Sequence, residues 1–547
     1  MTKETHKRAG RRTGAQALVE SLERAGAEVV FGYPGGNVVD IFDCLGSAKF
    51  RFVLGRHEQG SVHMADGYAR ATGRPGVALV TSGPGATNAI TGLATANVDG
   101  VPLVLVSGQV PLSQIGTDAF QEADMSGICR AATKHCFLVQ KADEIPETVA
   151  EAFYIATHGK PGAVVIDLPR NVQEELTSAR YPERISLRAY HPECAATPRE
   201  VGRLAKLLNE AARPVIYAGG GVIAAEAATD VAAIAHKAEI PVVTTLMGIG
   251  SIAESDPLAL GMAGVYGGAA ANAALREADL ILALGVRFND RVTGTRPAWH
   301  RARIVHVDCD PSSIDKNVRV SLGIVADIKD LLTVVNSRVR AARHAAWAGR
   351  LAKLRRDEEA AVVPTRRGTV DPRAVVREIF RATAGRALLV TDVGQNQMWC
   401  ARHFRHSLPR HFLTSGGMGT MGFGIPAAIG AQIAKPDHCV VAVLGDGGAQ
   451  MTSEELQVAA DEKLPIVFVV MNNRRLGMVR QMQDESFGGR HLGTVITSPD
   501  FTKLAKAYGL SAWKVTDGAK LGETVRRAVK SRRPSLVEVT IDEEANV

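Results

Sequence analysis

The sequence predicts an α/β protein of three domains, each built on a doubly wound parallel sheet. Short apolar runs that are typical of buried strands recur at helix-length intervals, and glycine-rich turns follow several of them. Two polar stretches, residues 177–200 and 336–372, interrupt this alternation. A chain of 547 residues has room for about three domains of ordinary size. We therefore expect domains over residues 1–180, 196–337 and 370–547.

The predicted strands follow in chain order within these blocks. In the first block they cover residues 29–31, 50–54, 76–81, 101–106 and 163–168. In the second they cover residues 214–218, 280–285 and 304–308, and the first of them leads into three glycines without a strict G-x-G-x-x-G fingerprint. In the third they cover residues 438–444 and 464–471. The Arg- and Ala-rich stretch 336–372 carries charges of both signs at helical spacing, which predicts a solvated linker helix.

Composition excludes several classes of protein. With 46% hydrophobic and 22% charged residues, the chain is typical of a globular protein. The net charge of +7 is small for this length, and no basic stripe with interleaved aromatics indicates nucleic acid. Seven scattered cysteines without a Cys-x-x-Cys pair argue against disulfides and zinc, and predict a reducing, cytoplasmic location. Residues 1–12 include several basic residues, but no apolar stretch follows them, so a signal peptide is not expected. No apolar run in the sequence is long enough to span a membrane.

A glycine-rich turn in the third block has the layout of a magnesium-diphosphate anchor. Gly445-Asp446-Gly447-Gly448 follows one predicted strand, and Asn473 follows the next, 27 positions after Asp446. Glycines allow a phosphate to approach the backbone, while carboxylate and amide oxygens suit magnesium. Asp446, Asn473 and the carbonyl of Arg475 are the predicted metal ligands. A Gly-Asp-Gly turn alone is ordinary strand-to-helix punctuation, but this spacing points to thiamine diphosphate.

A second candidate site lies in the first block, where Glu58 stands between a predicted strand and a predicted helix. A zinc site is disfavoured because the chain lacks His-Glu-x-x-His here, although Glu58 taken alone also fits a glutamate that favours a helix N-terminus. Two glycine-rich turns, residues 33–36 and 82–88, also follow strands and would face the same sheet edge. Together with Glu58 they outline the rim of a pocket.

These segments resemble the thiamine-diphosphate enzymes and, most closely, the catalytic subunit of acetolactate synthase. The resemblance runs from about residue 12 to the last residue. Beyond Glu58 and the anchor, it rests on residues 108–111, 115–122, 133–135, 285–294, 414–424 and 472–479. It implies a domain that binds the cofactor's pyrimidine ring, a central domain of FAD type and a domain that binds the diphosphate.

The resemblance also implies roles in catalysis. Glu58 would hydrogen-bond the aminopyrimidine ring and make the cofactor its own base, and Met421 would hold the cofactor bent. A 2-oxo acid such as pyruvate would be decarboxylated, and the two-carbon unit would be ligated to a second 2-oxo acid. Arg291 would hold the acceptor's carboxylate, with Phe120, Gln121 and Lys134 nearby.

The cofactor-binding residues are expected from the same resemblance. The diphosphate and thiazolium contacts would come from Gln395, Asn396, Gly419, Met421, Gly445, Asp446, Gly447, Gly448, Asn473, Gly477 and Met478. The pyrimidine half would add Pro34, Gly35, Glu58 and Asn88. FAD, in a structural rather than redox role, would be held by Lys160, Gly220, Gly221, Gly285, Arg287, Asp290, Asp308, Asp310 and Asp327.

The chain departs from the family pattern in several places. Met482 stands where a tryptophan usually favours 2-oxobutanoate, which leaves acceptor choice open and favours self-condensation of pyruvate. Asn289 replaces an aspartate, Lys160 an arginine and Asn396 a histidine, and weaker retention of FAD is the expected consequence. The chain ends at Val547, before the usual tail that helps close the site, so looser closure is expected, which would admit water and favour some decarboxylation without ligation.

Other functions stay open at this point. One alternative is another thiamine-diphosphate carboligase or decarboxylase with a different 2-oxo acid, and another is a flavoenzyme of the pyruvate oxidase kind. A catalytically silent homologue is disfavoured by the intact Glu58, Asp446 and Asn473. The resemblance implies a homodimer or homotetramer and leaves open a small regulatory subunit, while the composition predicts no nucleic-acid or membrane partner.

Overall fold

The computed structural model describes residues 11–293, 301–360 and 369–547. It contains three six-stranded sheets, and every strand pair within them is parallel. Helices connect the strands, as parallel pairing requires. The predicted fold class of three parallel α/β domains is confirmed.

The N-terminal sheet has the strand order β3-β2-β4-β5-β7-β6, and a separate antiparallel pair joins β1 to β8. Its core strands are unbroken apolar runs such as Val104-Leu105-Val106, which are buried on both faces. The strands are β1 Arg12–Thr13, β2 Val29–Gly32, β3 Arg51–Leu54, β4 Gly76–Val80, β5 Leu103–Gln109, β6 His135–Leu138, β7 Ala163–Pro169 and β8 Leu176–Thr177. The helices are α1 Gly14–Arg24, α2 Val39–Leu45, α3 Glu58–Thr72, α4 Pro84–Asn88, α5 Ile90–Asp99, α6 Met125–Cys129, α7 Ile145–Thr157 and α8 Arg170–Glu174.

The central sheet has the order β11-β10-β9-β12-β13-β14. Capping residues begin several of its helices, as where the Thr197 side chain and Glu200 form a capping box. The strands are β9 Pro214–Ala218, β10 Val242–Thr244, β11 Ala259–Met262, β12 Leu280–Leu284, β13 Arg303–Asp308 and β14 Leu322–Val325. The helices are α9 Pro198–Glu210, α10 Gly220–Ala224, α11 Ala228–Ala238, α12 Ala269–Glu277, α13 Asp290–Thr293, α14 Ile328–Arg338 and α15 Ala345–Ala360.

The third sheet has the order β16-β15-β17-β18-β20-β19. Its inner strands β17 and β18 are the two apolar runs that the sequence places before the anchor residues. The strands are β15 Leu388–Thr391, β16 Phe412–Leu413, β17 Val440–Gly445, β18 Val467–Asn472, β19 Ser511–Val515 and β20 Ser535–Thr540. The helices are α16 Pro372–Thr383, α17 Gln395–His403, α18 Gly424–Ala434, α19 Asp446–Met451, α20 Leu456–Asp461, α21 Gly477–Phe487, α22 Phe501–Ala507 and α23 Leu521–Ser531.

By their internal contacts the residues form two compact units. The first contains the described residues up to His191 together with Pro426–Lys435 and Thr452–Glu462, and the second contains the remaining described residues. Two segments from the third predicted domain thus belong to the unit of the N-terminal sheet. Within that unit α3 and α18 pack closely at Gly430. If this residue carried a side chain, its Cβ would lie only 1.8 Å from the Met64 carbonyl oxygen. The predicted domain boundaries therefore stay predictions.

The linker helix is α15, and its predicted solvation is wrong for one face. Trp347 and Leu351 are buried in a cluster with Val215 and Ile281 of the central sheet. The Trp347 indole also donates a hydrogen bond to the Pro214 carbonyl oxygen at 3.2 Å. Apolar residues four positions apart share one helix face, and this stripe outweighs the charged composition of the segment.

No helix among residues 11–293, 301–360 and 369–547 is long and apolar enough to cross a membrane. All seven cysteines lie in these ranges, and each is a free thiol.

The buried carboxyl group of Glu254 predicts a pH dependence of stability. Glu254 accepts a hydrogen bond from the His406 backbone amide at 3.2 Å, and burial raises its pKa from 4.5 to about 7. Between these values the unfolded chain releases a proton that the folded protein keeps, so the free energy of unfolding falls as pH rises, by up to about 3 kcal/mol. As pH rises from 5 to 8, we expect the melting temperature of Glu254→Gln to fall less than that of the wild type.

The exposed Glu210 supplies the control for this measurement. Glu210→Gln should keep the wild-type dependence, because a solvated carboxylate undergoes no such burial on folding. Equal shifts of melting temperature for wild type and Glu254→Gln would exclude Glu254 as the source.

Candidate active site

Asp446 lies buried at the carboxyl end of β17, where α19 begins. Its Oδ2 accepts a hydrogen bond from the Ser498 hydroxyl at 2.9 Å, and its Oδ1 accepts one from the Gly447 amide at 3.1 Å. Burial raises the pKa of Asp446 to about 6, and the hydrogen bond from Ser498 opposes that rise. A buried carboxylate of this kind favours a neighbouring cation.

Asn473 lies at the same sheet edge as Asp446. Strands β17 and β18 pair in parallel with Gly445 opposite Met471, so Asp446 and Asn473 both follow directly on paired strand ends. The Asn473 Oδ1 accepts a hydrogen bond from the Arg475 amide at 3.1 Å, which sets the turn that presents the Arg475 carbonyl. The predicted donor set of one carboxylate, one amide oxygen and one carbonyl fits magnesium, a cation that takes oxygen ligands.

Asp392 organises the glycine-rich turn beside the anchor, and sequence reasoning missed it. Its buried carboxylate accepts hydrogen bonds from the amides of Val393, Gly422 and Gly424 at 2.8 to 3.2 Å. A Cβ on Gly448 would lie 2.2 Å from the Asp392 Oδ1. Burial raises the pKa of Asp392, and these backbone amides lower it. The sequence feature that could have identified Asp392 is its position directly after a strand, but no strand was predicted at β15.

The glycines of the turn bring Met421 to the anchor. A Cβ on Gly447 would lie 3.3 Å from the Met421 Cε and 2.7 Å from the Leu476 Cδ2. Gly419 has φ +64°, which a non-glycine residue adopts only at a cost. Met478 packs beside the buried Met398 and Ala401. The structure therefore groups Met421 with Gly447, as the predicted site requires.

Gln395 and Asn396 begin α17 after Gly394, and their amide hydrogens are engaged within the protein. Asn396 donates to the carbonyls of Asp392 and Val443 at 3.1 and 2.9 Å. Gln395 donates to Gln481 and to the Ala545 carbonyl at 3.1 and 2.9 Å. Its Oε1 is buried without a hydrogen-bond partner in the described part of the chain, and a Cβ on Gly477 would lie 2.1 Å from it. An acceptor oxygen suits a donor such as a water, so direct contacts to a diphosphate stay predictions.

Glu58 is the first residue of α3, and His57 caps this helix by accepting the Gln59 amide through Nδ1 at 3.1 Å. The Glu58 Oε2 accepts a hydrogen bond from the Asn88 side chain at 3.0 Å. A Cβ on Gly85 would lie 3.3 Å from the Glu58 Oε1. Glu58, Asn88 and the glycine-rich turn after β4 are thus brought together.

The turn after β2, which carries Pro34 and Gly35, adjoins the same group. The Asn37 side chain donates to the Ser82 hydroxyl at 2.6 Å, and a Cβ on Gly35 would lie 2.4 Å from the Thr81 Cγ2. In the sheet order β3-β2-β4-β5-β7-β6, successive strands are added on one side of β2 and then on the other, so the strand order reverses between β2 and β4 while all strands stay parallel. Ligands of open α/β sheets bind at such a switch point.

The segment that carries Phe120 and Gln121 has an uncommon geometry. Phe120 is 87% exposed, and Gln121 has φ +62°. A Cβ on Gly83 would lie 2.9 Å from the Gln121 backbone, so the segment contacts the turn after β4. Exposed apolar side chains and left-handed non-glycine residues are both enriched at functional sites.

Two further predicted substrate contacts are Lys134 and Arg291, and each is described within its own unit. The Lys134 ammonium, which has three N–H donors, lies 2.5 to 2.9 Å from four oxygens, the carbonyls of Ile155, His158 and Lys160 and the Tyr190 hydroxyl. Arg291 is exposed on α13, with its Nε 3.5 Å from the Asp290 Oδ2. The predicted contacts of both residues with an acceptor stay predictions.

The central sheet carries a glycine cradle at its own switch point, between β9 and β12. A Cβ on Gly219 would lie 2.1 Å from the Gly285 carbonyl oxygen, and one on Gly221 would lie 2.7 Å from the Gly285 Cα. Gly220 begins α10 and Gly285 has φ +60°. This close backbone approach at the carboxyl edge fits a nucleotide cofactor.

The acidic residues predicted for FAD follow the neighbouring strands of the central domain. Asp308 ends β13 and accepts the Asp310 amide at 2.9 Å, while Asp327 caps α14 through the Asp330 amide at 3.0 Å. Arg287 accepts a hydrogen bond from Asn317 through its carbonyl at 3.2 Å. Lys160 belongs to the N-terminal unit. Among the described residues, no group of three or more His, Cys, Asp or Glu is placed to hold a metal ion.

Comparison with known domains identifies the class. Residues 12–128, 201–335 and 392–539 match, in this order, the N-terminal TPP binding domain, the central domain and the C-terminal TPP binding domain of the thiamine pyrophosphate enzymes. The fold and the three matched domains define a thiamine pyrophosphate (thiamine diphosphate) enzyme.

Curated proteins narrow this class. A probable acetolactate synthase large subunit of Methanocaldococcus jannaschii is 44% identical, over 97% of this chain and 92% of that protein. The acetolactate synthase large subunit of Haemophilus influenzae is 42% identical, over 98% and 95%. The acetolactate synthase isozyme 3 large subunit of Escherichia coli is 42% identical, over 98% and 96%. The chain belongs to the family of acetolactate synthase large subunits.

Proposed function

We propose that this protein is the catalytic subunit of an acetolactate synthase that decarboxylates pyruvate and ligates the two-carbon unit to a second 2-oxo acid. The observation that carries the proposal is the similarity to acetolactate synthase large subunits along almost the whole chain, at 42 to 44% identity in three relatives. The arrangement of Glu58 with Asn88 and of Asp446 with Asn473 supports it.

Three oxygens of the C-terminal domain would hold the cofactor's magnesium. They belong to the Asp446 carboxylate, the Asn473 amide and the Arg475 backbone. Because Asp446 is buried and already positioned by Ser498, its carboxylate would be preorganised for the metal. The amides of Gly447 and Gly448, at the start of α19, would face the diphosphate, where a bare backbone allows close approach. Gln395, Asn396, Gly445 and Gly477 would complete this surface.

Glu58 would hold and return a proton at the aminopyrimidine ring. Its Oε2 is occupied by Asn88, which leaves Oε1 beside Gly85 for the cofactor. When bound, thiamine diphosphate supplies the nucleophilic carbon and the electron sink for decarboxylation. Met421, beside Gly447, would support the bent cofactor, while Gly419 provides the turn that delivers it.

Arg291, Phe120, Gln121 and Lys134 would bind the acceptor, and Met482 would leave room that favours pyruvate over 2-oxobutanoate. FAD would lie on the glycine cradle of the central domain. The three domains would cover residues 1–180, 196–337 and 370–547. A homodimer or homotetramer is proposed, and because the relatives are named large subunits, a small regulatory subunit is proposed as a partner.

Product analysis tests this function. The purified protein is given pyruvate, thiamine diphosphate, magnesium and FAD, and acetolactate, acetaldehyde and flavin absorbance are followed. We expect acetolactate to form. The yield of acetolactate from pyruvate alone should exceed the yield of the 2-oxobutanoate product from an equal mixture of pyruvate and 2-oxobutanoate. Acetaldehyde alone would indicate a decarboxylase. Anaerobic bleaching of the flavin by pyruvate would indicate an oxidase and overturn the proposal.

A further inference from the structure

A buried glutamate, Glu455, contacts the backbone immediately before Glu58. Its side chain is fully buried, at 0% exposure, in the compact unit of the N-terminal sheet. The Oε1 accepts hydrogen bonds from the His57 amide at 3.0 Å and the Arg56 amide at 3.2 Å, and the Oε2 is 3.1 Å from the Arg56 amide. One carboxyl group therefore satisfies two adjacent backbone donors at the entry to α3.

The first turn of α3 is shaped to admit this carboxyl group. A Cβ on Gly60 would lie 1.9 Å from the Glu455 Oε1, 2.5 Å from its Cδ and 2.9 Å from its Cγ. Any side chain at position 60 would displace Glu455 or the helix turn, because all three atoms are closer than van der Waals contact allows. Glycine weakens a helix interior by about 0.5 to 1 kcal/mol, so the close approach offsets a local cost.

The segment that carries Glu455 is held to this loop by further contacts. Arg56 forms an ion pair with Asp461, and Arg51 forms one with Glu462. These pairs are partly exposed and each contributes little stability. They nevertheless place residues 452–462 beside β3 and the segment that connects β3 to α3. The contact that sets the position of the Arg56 and His57 amides is the buried Glu455.

We propose that Glu455 is a positioning residue that fixes the backbone before Glu58 and thereby aims the Glu58 carboxylate. The inference rests on the proposed function only in that Glu58 acts on the cofactor. Glu58 is the next residue after His57, so rotation of the peptide that carries the His57 amide redirects its side chain. A displacement of about 1 Å at a reacting group costs about 100-fold in rate.

The acceptor oxygen, rather than a negative charge, carries this role. Burial raises the pKa of Glu455 to about 8, so the group is largely protonated at neutral pH. The Oε1 alone lies within hydrogen-bond distance of both amides. Glutamine keeps an oxygen at this place, whereas leucine keeps the volume and removes the acceptor. These two substitutions separate a positioning role from mere packing.

The test compares Glu455→Leu, Glu455→Gln and the neighbouring Glu454→Gln with the wild type. The first measurement is amide hydrogen exchange at Arg56 and His57 in the cofactor-free protein. The second is exchange of the thiazolium C2 proton of bound thiamine diphosphate with solvent deuterium, at saturating cofactor and without any 2-oxo acid. Because no substrate is present, an incorrect assignment of the 2-oxo acid leaves this second measurement unaffected.

We expect Glu455→Leu to accelerate exchange at both amides and to slow exchange at the cofactor about 10- to 100-fold, with cofactor affinity within about threefold of wild type. Glu455→Gln and Glu454→Gln should stay close to wild type in both measurements. Gly60→Ala, which displaces the carboxyl group, should reproduce the effect of leucine and replaces that variant if Glu455→Leu does not fold. Wild-type cofactor exchange in a folded Glu455→Leu or Gly60→Ala would overturn the proposal, as would an equal loss in Glu454→Gln.

Discussion

Glu58→Gln is expected to lower turnover by about 100- to 10,000-fold while the protein stays folded and retains its cofactor. Glutamine has the shape of glutamate, so its carbonyl oxygen still accepts the hydrogen bond from Asn88. Its amide cannot exchange a proton with the aminopyrimidine ring, which is the step assigned to Glu58. Steady-state rates of acetolactate formation, with thiamine diphosphate binding measured by titration calorimetry, check both halves of this expectation.

Glu147→Gln is the matched control, because Glu147 is also an acidic residue in the first turn of a helix, α7. It is exposed, and its substitution should leave turnover within about twofold of wild type. If Glu58→Gln turned over like the wild type, Glu58 would have no part in proton transfer. A loss of folding in that variant would instead assign Glu58 a structural role.

Asp446→Ala is expected to weaken magnesium-dependent retention of thiamine diphosphate by about 100-fold or more. The substitution removes the buried carboxylate at the end of β17 and the acceptor of the Ser498 hydroxyl. Without that charge the cation loses its strongest predicted ligand, since Asn473 and the Arg475 carbonyl are neutral. Cofactor binding as a function of magnesium concentration is the measurement.

Asp437→Ala provides the comparison, because Asp437 is exposed and precedes the amino end of the same strand. Its variant should bind cofactor and magnesium like the wild type. Unchanged magnesium dependence in Asp446→Ala would show that Asp446 is not a ligand of the magnesium anchor. Asn473 would then lack the carboxylate that is expected to bind the cation with it.

Short-range pattern predicted much of the fold. Strands that form mostly apolar runs, such as 163–168 and 280–285, are found at β7 and β12. No strand was predicted at β10, β11, β14, β15 or β20, at the half-buried edge strands β6 and β19, or at the two-residue β1, β8 and β16, because strands of two to six residues carry little periodic signal. The linker helix was predicted as a helix, but its buried face was missed because Trp347 and Leu351 meet their partners only across the domain.

The candidate site divides in the same way. Glu58, Asp446 and Asn473 are visible in the sequence, because each stands at the end of a strand-like run beside glycines. Asp392, Ser498 and Glu455 are not, because each acts on residues that lie 30 to 399 positions away along the chain. Asp392 and Glu455 accept from backbone amides, and Ser498 contributes a single hydroxyl, so none of them leaves a motif in the sequence.

The sequence by itself determined the class of fold and the family and predicted the anchor residues, since strand periodicity, glycine spacing and residue chemistry are local properties. Tertiary structure alone decided which turns adjoin at each switch point, which glycines are required by close approach and which buried carboxyls hold the loops. Those properties depend on strand order and on the desolvation of polar groups, and both arise only when segments distant in the chain pack together.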